Sequence, residues 1–235
     1  MYSFIKNKVV NVEESLRNNS LGSVIYLNPY TYNYFRRNME LIANIDGVRF
    51  DGFFMTAVLR VFNINVPKRQ SFDMTSLAPI VFEKAELENL RVYLCGGSDT
   101  DIEKFIILIK TKYPSLNIVG SKNGYFSYEE FGDLKSDAVS LKPDLVVLGL
   151  GGIKQEIIAS KLSPYVEGYI FTCGAFISQT TENINYYPKS IDKYNLRWAY
   201  RFWKEPHTIK RVLMNYPRFV LNLSADYYRY KRDTK

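Results

Sequence analysis

Short apolar runs alternate with amphipathic segments along the first 195 residues of the chain. The runs are rich in β-branched and apolar side chains, and they predict strands over residues 23–27, 91–94, 117–119, 145–148 and 168–172. Apolar positions spaced three and four residues apart predict helices over residues 30–42, 55–62, 77–89, 101–112 and 154–161. Because strand, glycine and helix repeat in this order, we expect an α/β fold with a mostly parallel sheet flanked by helices.

The pattern changes after about residue 195. Residues 196–220 interleave tryptophan, tyrosine and phenylalanine with lysine and arginine, and apolar residues then follow at helical spacing. We expect one or two amphipathic helices in this segment. The chain is therefore divided into a core, residues 1–195, and a basic aromatic C-terminal appendage, residues 196–235.

The net charge of +7 lies entirely in the appendage. Ten basic and three acidic residues fall within residues 196–235, so the core is neutral. This concentration predicts an anionic partner for the appendage, either phosphate groups or an anionic membrane surface. A second interpretation stays open, in which a C-terminal helix packs on the core and holds its charges in solvent.

Composition excludes several classes of protein. Hydrophobic residues make up 46% and charged residues 23% of the 235, which is typical of a globular chain. No apolar run reaches the roughly 18 residues of a membrane span, and the N-terminal sequence is unlike a signal peptide. Cys95 and Cys173 are too few for a disulfide framework and suit a reducing compartment. His207, the single histidine, excludes sites that need two.

Two motifs match sites for anions or metals, and each also has a structural explanation. Gly-Leu-Gly-Gly at 149–152 follows a buried-strand signal, so it is either a phosphate turn or a tight turn that requires glycine. Asp-Thr-Asp at 99–101 has the D-x-D form of metal-dependent glycosyltransferases. Its position at the start of a helix favours an N-cap with acidic residues in the first turn.

Two polar residues stand where strands are expected to end. Asp51 precedes Gly52 after a short apolar run, and a carboxylate placed there can accept a proton from an attacking hydroxyl. Asn28 precedes Pro29 after the first predicted strand. Both pairs also fit ordinary turns or caps, so neither residue defines a site alone.

Eight sequence elements follow one another from residue 24 to residue 211. In chain order they contain VIYLNPYTYNYF, FDGFFMTAVLRVF, KRQSFDM, RVYLCGG, GYF, KPDLVVLGLGGIKQE, TCGAF and NLRWAYRFWKEP. Together they resemble the WecG/TagA/CpsF family of bacterial glycosyltransferases, family 26. The chain departs from the family pattern at several positions, among them Tyr26, where relatives often have threonine, and Phe54, in place of a second glycine after Asp51.

The resemblance implies a Rossmann-like fold of the GT-E type and a catalytic core over residues 1–195. It implies transfer of a sugar from a UDP-sugar to a lipid (undecaprenyl) diphosphate-linked saccharide, in surface polysaccharide, exopolysaccharide or teichoic acid synthesis. The donors to expect are UDP-N-acetylmannosamine, UDP-N-acetylmannosaminuronate, UDP-glucose or similar sugars. Inversion at the anomeric carbon is expected, with no metal and no cofactor.

The resemblance also implies where the enzyme works and what it meets. The appendage would bind the anionic inner face of the bacterial cell membrane, so a cytoplasmic, peripheral location is expected. Nucleic acid is not an expected partner. A homo-oligomer stays open.

The same resemblance, joined to the chemistry of sugar transfer, assigns roles to individual residues. Asp51 would deprotonate the acceptor hydroxyl, and Arg69 would stabilise the departing diphosphate. Glu156 would either support Gln155 or cap its helix. The full set of expected substrate-binding residues is Asn28, Gly52, Gly149, Gly151, Gln155, Glu156, Arg201 and Arg211. The two arginines that end this list would complete the anion site when the appendage folds over the cleft.

Two rival functions would use the same features. A nucleotide-binding oxidoreductase would place its dinucleotide on the turn at 149–152, but the acidic residue near the required spacing, Glu167, precedes the next strand. A non-catalytic nucleic-acid-binding module would use the basic aromatic appendage. The order of the family elements favours the glycosyltransferase over both.

Overall fold

The computed structural model describes residues 1–20, 22–67, 71–183, 191, 197–204 and 207–234. At its centre is a six-stranded sheet, ordered β2-β1-β6-β5-β3-β4, in which each paired strand runs parallel to its neighbour. The strands are β1 (Ser23–Leu27), β2 (Gly47–Phe50), β3 (Val92–Gly96), β4 (Ile118–Lys122), β5 (Leu145–Gly149) and β6 (Tyr169–Thr172). The predicted α/β fold with a parallel, Rossmann-like sheet is confirmed.

Helices precede, connect and follow the strands. They are α1 (Tyr2–Lys8), α2 (Val12–Arg17), α3 (Pro29–Phe35), α4 (Phe53–Val61), α5 (Leu77–Leu87), α6 (Asp99–Lys112), α7 (Phe131–Leu141), α8 (Lys154–Leu162), α9 (Phe176–Glu182), α10 (Arg197–Lys204) and α11 (His207–Asp233). The helix expected over residues 30–42 is instead α3 followed by a separate 3₁₀ turn, Met39–Ile42. The helices α1, α2, α7 and α9 are additions to the sequence prediction. Among the described helices, none combines the length and apolar content needed to cross a bilayer.

Side chains of the central strands β1, β3, β5 and β6 alternate between two hydrophobic clusters. Ile25 and Leu27 of β1 pack on one face of the sheet, with buried residues of α3, α4 and α8. Val24 and Tyr26 of the same strand pack on the other face, with buried residues of α5, α6 and α9. Because both faces of the central strands are covered, β3 and β5 are apolar along their whole length and read as continuous apolar runs.

The second half of α11 packs on the core. Phe219 and Leu223 are fully buried and belong to the same cluster as Tyr32 and Phe35 of α3. The Phe219 and Tyr32 rings meet edge to face, with centroids 4.9 Å apart. The helix that follows the sequence boundary at 195 is therefore joined to the core by buried apolar contacts.

A buried carboxylate fixes α11 against α3. Asp226, 7% exposed, accepts hydrogen bonds from Arg36 Nε at 2.9 Å and from the Tyr32 hydroxyl at 2.9 Å. Arg36 Nη2 lies 2.8 Å from the same carboxylate. A buried ion pair with additional hydrogen bonds holds its partners in one geometry, since breaking it would leave a charge without compensation. This cluster sets which face of α11 points inward.

Candidate active site

The parallel sheet brings several of the expected site residues to one edge. Asn28 follows β1, Asp51 follows β2, and the turn at 149–152 follows β5. Leu27 is paired with Phe50 across β1 and β2, and the Asp51 backbone N–H donates to the Leu27 carbonyl at 2.8 Å. Asn28 and Asp51 are therefore neighbours, although 23 positions separate them in the sequence.

Asn28 is the N-cap of α3. Its Oδ1 accepts the backbone N–H groups of Tyr30 at 2.9 Å and Thr31 at 3.1 Å. The Thr31 hydroxyl oxygen accepts the Asn28 N–H at 2.9 Å, which completes a reciprocal cap. The side-chain carbonyl is therefore committed to the helix, and the amide NH₂ of this half-buried residue has no partner among the described residues.

Asp51 is half-buried, and its carboxylate makes no hydrogen bond or ion pair with any described residue. The next residue, Gly52, has φ 88° and is the N-cap of α4. A side chain would be strained in that conformation even though there is open space around the Gly52 Cα. The turn thus ends β2 abruptly and leaves an unpaired acid at the strand end.

The glycine turn after β5 lies against the start of α3. A Cβ placed on Gly152 would stand 3.2 Å from the Thr31 methyl group, so this turn adjoins the Asn28 cap. Gly149 packs equally closely on the turn after β6, where its Cβ would be 3.1 Å from the Gly174 carbonyl oxygen. Gly151, with φ 75°, lies between them in the turn. The site therefore draws on the ends of β1, β2, β5 and β6.

Gln155 and Glu156 join two of these turns by hydrogen bonds. Gln155 is 4% exposed, and its Oε1 accepts the Gly174 N–H at 2.9 Å. Its Nε2 donates to Glu156 Oε1 at 2.9 Å, and Glu156 Oε2 accepts the Ile153 N–H at 2.5 Å. Glu156 therefore both caps its helix and supports Gln155, the two roles that the sequence left open. Burial raises the pKa of Glu156 to about 7.

The three expected arginines differ in what the structure describes. Arg69 lies outside the described residues. Arg201 belongs to α10, but its side chain is not among those described. Arg211, on α11, holds its guanidinium carbon 5.7 Å from the centre of the Tyr30 ring, in the first turn of α3. The docking of α11 thus places one of the three beside the Asn28 cap.

Comparison with known proteins identifies the family to which this chain belongs. The sequence model described as the glycosyl transferase WecG/TagA/CpsF family matches residues 5–233. The chain belongs to this family. Family membership confirms the resemblance and the predicted enzyme class, a glycosyltransferase.

Two curated relatives cover most of the chain. It is 32% identical over 206 residues to the UDP-Gal:alpha-D-GlcNAc-diphosphoundecaprenol beta-1,4-galactosyltransferase of Shigella boydii, which covers 87% of this chain and 86% of the relative. It is 22% identical over 185 residues to the N-acetylglucosaminyldiphosphoundecaprenol N-acetyl-beta-D-mannosaminyltransferase of Bacillus spizizenii, covering 78% and 70% respectively. Both relatives are glycosyltransferases by name.

The Asp-Thr-Asp motif of this family member caps a helix. Ser98 is the N-cap of α6; its hydroxyl accepts the Asp101 N–H at 3.2 Å, and Asp101 accepts the Ser98 N–H at 3.0 Å. The hydrogen bond from the Ser98 backbone is the largest cause that lowers the pKa of Asp101. Asp99 accepts a hydrogen bond from Asn123 at 2.8 Å. The interpretation of this motif as an N-cap is confirmed.

Lys154 is a residue at this edge that the sequence analysis missed. Its ammonium donates to the carbonyl oxygens of Gly124, at 2.8 Å, and of Phe126, and it lies 3.9 Å from the centre of the Phe126 ring. It therefore ties the Gly-Tyr-Phe segment to the turn after β5, and burial lowers its pKa. One signal in the sequence was its position: a lysine at the first residue of a helix is disfavoured by the helix dipole and needs another reason to be there.

The raised pKa of Glu156 predicts a pH-dependent stability. A carboxyl group whose pKa rises on folding, here from 4.5 to about 7, contributes stability that is complete below 4.5 and is lost as the pH rises through 7. The stability lost over this window is about 3 kcal/mol. The melting temperature should be measured at several pH values between 4 and 8. It should fall less steeply with rising pH for Glu156→Gln than for the wild type.

Glu103→Gln, a change of an exposed glutamate on α6, is the matched control and should give a curve parallel to the wild type. A Glu156→Gln curve that is also parallel would show that this carboxyl group does not titrate in the window.

Proposed function

We propose that this chain transfers a hexose from a UDP-sugar to a saccharide carried on a polyprenyl diphosphate. The proposal is supported by the activities for which the two relatives are named, which share the GlcNAc-diphosphoundecaprenol type of acceptor and differ in the sugar transferred. The relative that is 32% identical to this chain is named as a galactosyltransferase that uses UDP-Gal. UDP-galactose is therefore the first donor to test, although it was not among the donors that the sequence analysis named.

The reaction is proposed as a single displacement that inverts the anomeric carbon. The acceptor hydroxyl oxygen attacks that carbon from the side opposite the diphosphate, and the new glycosidic bond forms as the bond to UDP breaks. The acceptor proton passes to the carboxylate of Asp51. The observation that carries this proposal is the unpaired, half-buried Asp51 carboxylate at the end of β2, beside the Asn28 cap.

The departing diphosphate needs positive groups and N–H donors around it. Arg69, Arg201 and Arg211 are proposed for this role, because a guanidinium stays charged and pairs with two phosphate oxygens. The position of Arg211 over Tyr30, next to the Asn28 cap, supports its part. The N-terminus of α8, after Gly149 and Gly151, adds a favourable electrostatic field for an anion.

The other expected site residues differ in whether their side chains have polar groups available to bind a substrate. Asn28 keeps its amide NH₂ available for a sugar or phosphate oxygen, and Gly52 positions Asp51 through its backbone. Gln155 and Glu156 are buried and bonded to each other. For this pair we therefore propose a supporting role, which holds the two glycine-containing turns in register, rather than contact with the sugar.

Replacing Asp51 tests this mechanism. Asp51→Asn keeps the shape of the side chain but removes the proton acceptor, so kcat should fall by roughly 10²- to 10⁴-fold with UDP-galactose. Release of UDP and glycosylation of a GlcNAc-diphosphate-lipid acceptor should be measured together. Asp133→Asn, a change at an exposed aspartate on α7, is the control and should leave both rates unchanged. A folded Asp51→Asn enzyme that keeps its kcat would refute Asp51 as the base.

We further propose that the enzyme lies on an anionic membrane surface through the outer face of α11. Leu213, Met214, Leu221 and Tyr228 are 64 to 71% exposed on this helix. Exposed basic residues accompany them on this helix: Lys210, Arg218, Arg229 and Arg232. An apolar stripe edged by cations is the pattern of a helix that lies in the headgroup region.

The same surface extends to the start of α4, beside Asp51. Phe54 stacks on Tyr216 of α11 with ring centroids 4.8 Å apart, and Phe53 is 63% exposed. A membrane bound to α11 would therefore adjoin the helix that follows the proposed base. This arrangement suits an acceptor whose lipid is held in the bilayer while its saccharide is glycosylated.

Substitution on this face tests membrane binding without damaging the core. Truncation at residue 195 would also remove Phe219 and Leu223, which are buried. The double variant Leu213→Glu/Met214→Glu instead adds two charges to exposed positions. It should weaken co-sedimentation with phosphatidylglycerol-containing vesicles by at least about ten-fold, through lost apolar burial and added repulsion.

The matched control is Leu87→Glu/Ile107→Glu, which alters two exposed apolar residues on α5 and α6. It carries the same added charge and should bind vesicles like the wild type. Equal effects of the two double variants would remove α11 as the specific membrane contact.

A further inference from the structure

The hydroxyl of Tyr26 is buried without a hydrogen bond. Tyr26 is 8% exposed, its oxygen is shielded from solvent, and it has no hydrogen-bond partner among the residues that the structure describes. Buried hydroxyls are nearly always bonded, because an unsatisfied one loses the water that it bonds to in the unfolded chain. A phenylalanine would fill the same space without this cost, and the position of the oxygen in the fold decides what it can bond to.

Its position is the edge of the sheet that carries the proposed site. Tyr26 lies one residue before the end of β1, opposite Arg49 of β2 in the register, and its N–H donates to the Thr172 hydroxyl of β6 at 3.0 Å. Burial is the largest cause that raises the pKa of Tyr26; the charge of Arg49 lowers it, and the charges of Asp73 and Asp51 raise it further. The hydroxyl is therefore protonated at neutral pH and able to donate.

The surrounding charge favours a neutral ligand oxygen. The carboxylates of Asp51 and Asp73 both influence Tyr26, and they would repel a phosphate brought to the same point. Arg49 is the opposing positive group and offsets part of this charge, but the two carboxylates outnumber it, and its guanidinium also donates to the Val10 carbonyl at 2.9 Å. A sugar hydroxyl carries no charge, and its oxygen can accept a hydrogen bond from the Tyr26 O–H.

We infer that the Tyr26 hydroxyl donates a hydrogen bond to a hydroxyl oxygen of the donor sugar and so helps to select which sugar is transferred. The inference rests on the proposed function, because the proximity of Asp51 places the reacting sugar ring at this edge. A binding site with a buried polar group rejects a ligand that leaves this group unpaired. Tyr26 thus acts on the sugar, and not on the nucleotide that all the UDP donors share.

The chain contains a matched control for this residue. Tyr113 also has a buried hydroxyl to which none of the described residues offers a hydrogen bond, and it belongs to the same hydrophobic cluster as Tyr26. It follows the C-terminal end of α6 and precedes β4, so it lies toward the opposite edge of the sheet. Tyr26→Phe and Tyr113→Phe each remove one buried hydroxyl oxygen. Tyr26 lies at the proposed site, and Tyr113 lies away from it.

The test compares these two variants in the full chain. Both should fold and melt no lower than the wild type, because each loses an unsatisfied buried oxygen. With the donor that the wild type uses best among UDP-galactose, UDP-glucose, UDP-N-acetylglucosamine and UDP-N-acetylmannosamine, Tyr26→Phe should lose about ten-fold or more in kcat/KM. Tyr113→Phe should keep the wild-type value. The affinity for UDP alone should be the same in all three proteins.

Donors that lack single hydroxyls locate the contact. One monodeoxy analogue of the accepted donor should be a poor substrate for the wild type and should lose nothing further in Tyr26→Phe, as expected when both changes remove the same hydrogen bond. Full activity of Tyr26→Phe, or equal weakening of UDP and UDP-sugar binding, would overturn the inference. A wild type that transfers sugar from no UDP donor would instead defeat the proposed function, so the two failures are distinguishable.

Discussion

Six parallel strands end at one edge of the sheet, and the geometry of the site depends on this constraint. Each strand must turn into a helix within a few residues, and neighbouring turns compete for the same space. Glycine resolves the tightest approach: a Cβ on Gly96 would lie 2.5 Å from the Gly149 carbonyl oxygen, inside any real contact. Because these turns close without side chains, the edge can hold Asn28, Asp51 and the start of α8 together.

The docking of α11 connects this edge to the membrane proposal. Asp226 is held by Arg36 and Tyr32, so the helix is fixed in rotation with Phe219 and Leu223 inward. The outer face is left with exposed apolar and basic residues, and the proposed membrane contact is built on it. The appendage therefore combines both interpretations that its charge allowed: one face packs on the core, and the other is available for an anionic surface.

Much of the fold could be predicted from the sequence, since strands buried on both faces leave continuous apolar runs. Short helices such as α1 and α9 have too few turns to show a clear period, and they are stabilised by packing on elements distant in the sequence. The burial of Asp226 could not be predicted because its partner Arg36 lies 190 positions away. In α11 two apolar stripes occupy one helix, and the sequence does not say which faces inward.

For the site, too, some features could be predicted from the sequence and others could not. Asn28 and Asp51 could be predicted because each follows a strand, and parallel strands share an edge. For Glu156 the sequence predicts two alternative roles, because its bonds to Ile153 and Gln155 depend on the shape of the turn. The unsatisfied hydroxyl of Tyr26 leaves no trace in the sequence, because it is defined by which of the described residues surround it in three dimensions and offer it no hydrogen bond.

The most direct test of the account is a transfer assay with the full chain, UDP-galactose and a synthetic GlcNAc-diphosphate-lipid acceptor. The lipid product should be analysed by mass spectrometry and NMR. The account predicts a product heavier by one hexose, joined by a β-linkage, with one UDP released for each sugar transferred. Release of UDP without a glycosylated lipid, or an α-linked product, would contradict transfer by a single inverting displacement.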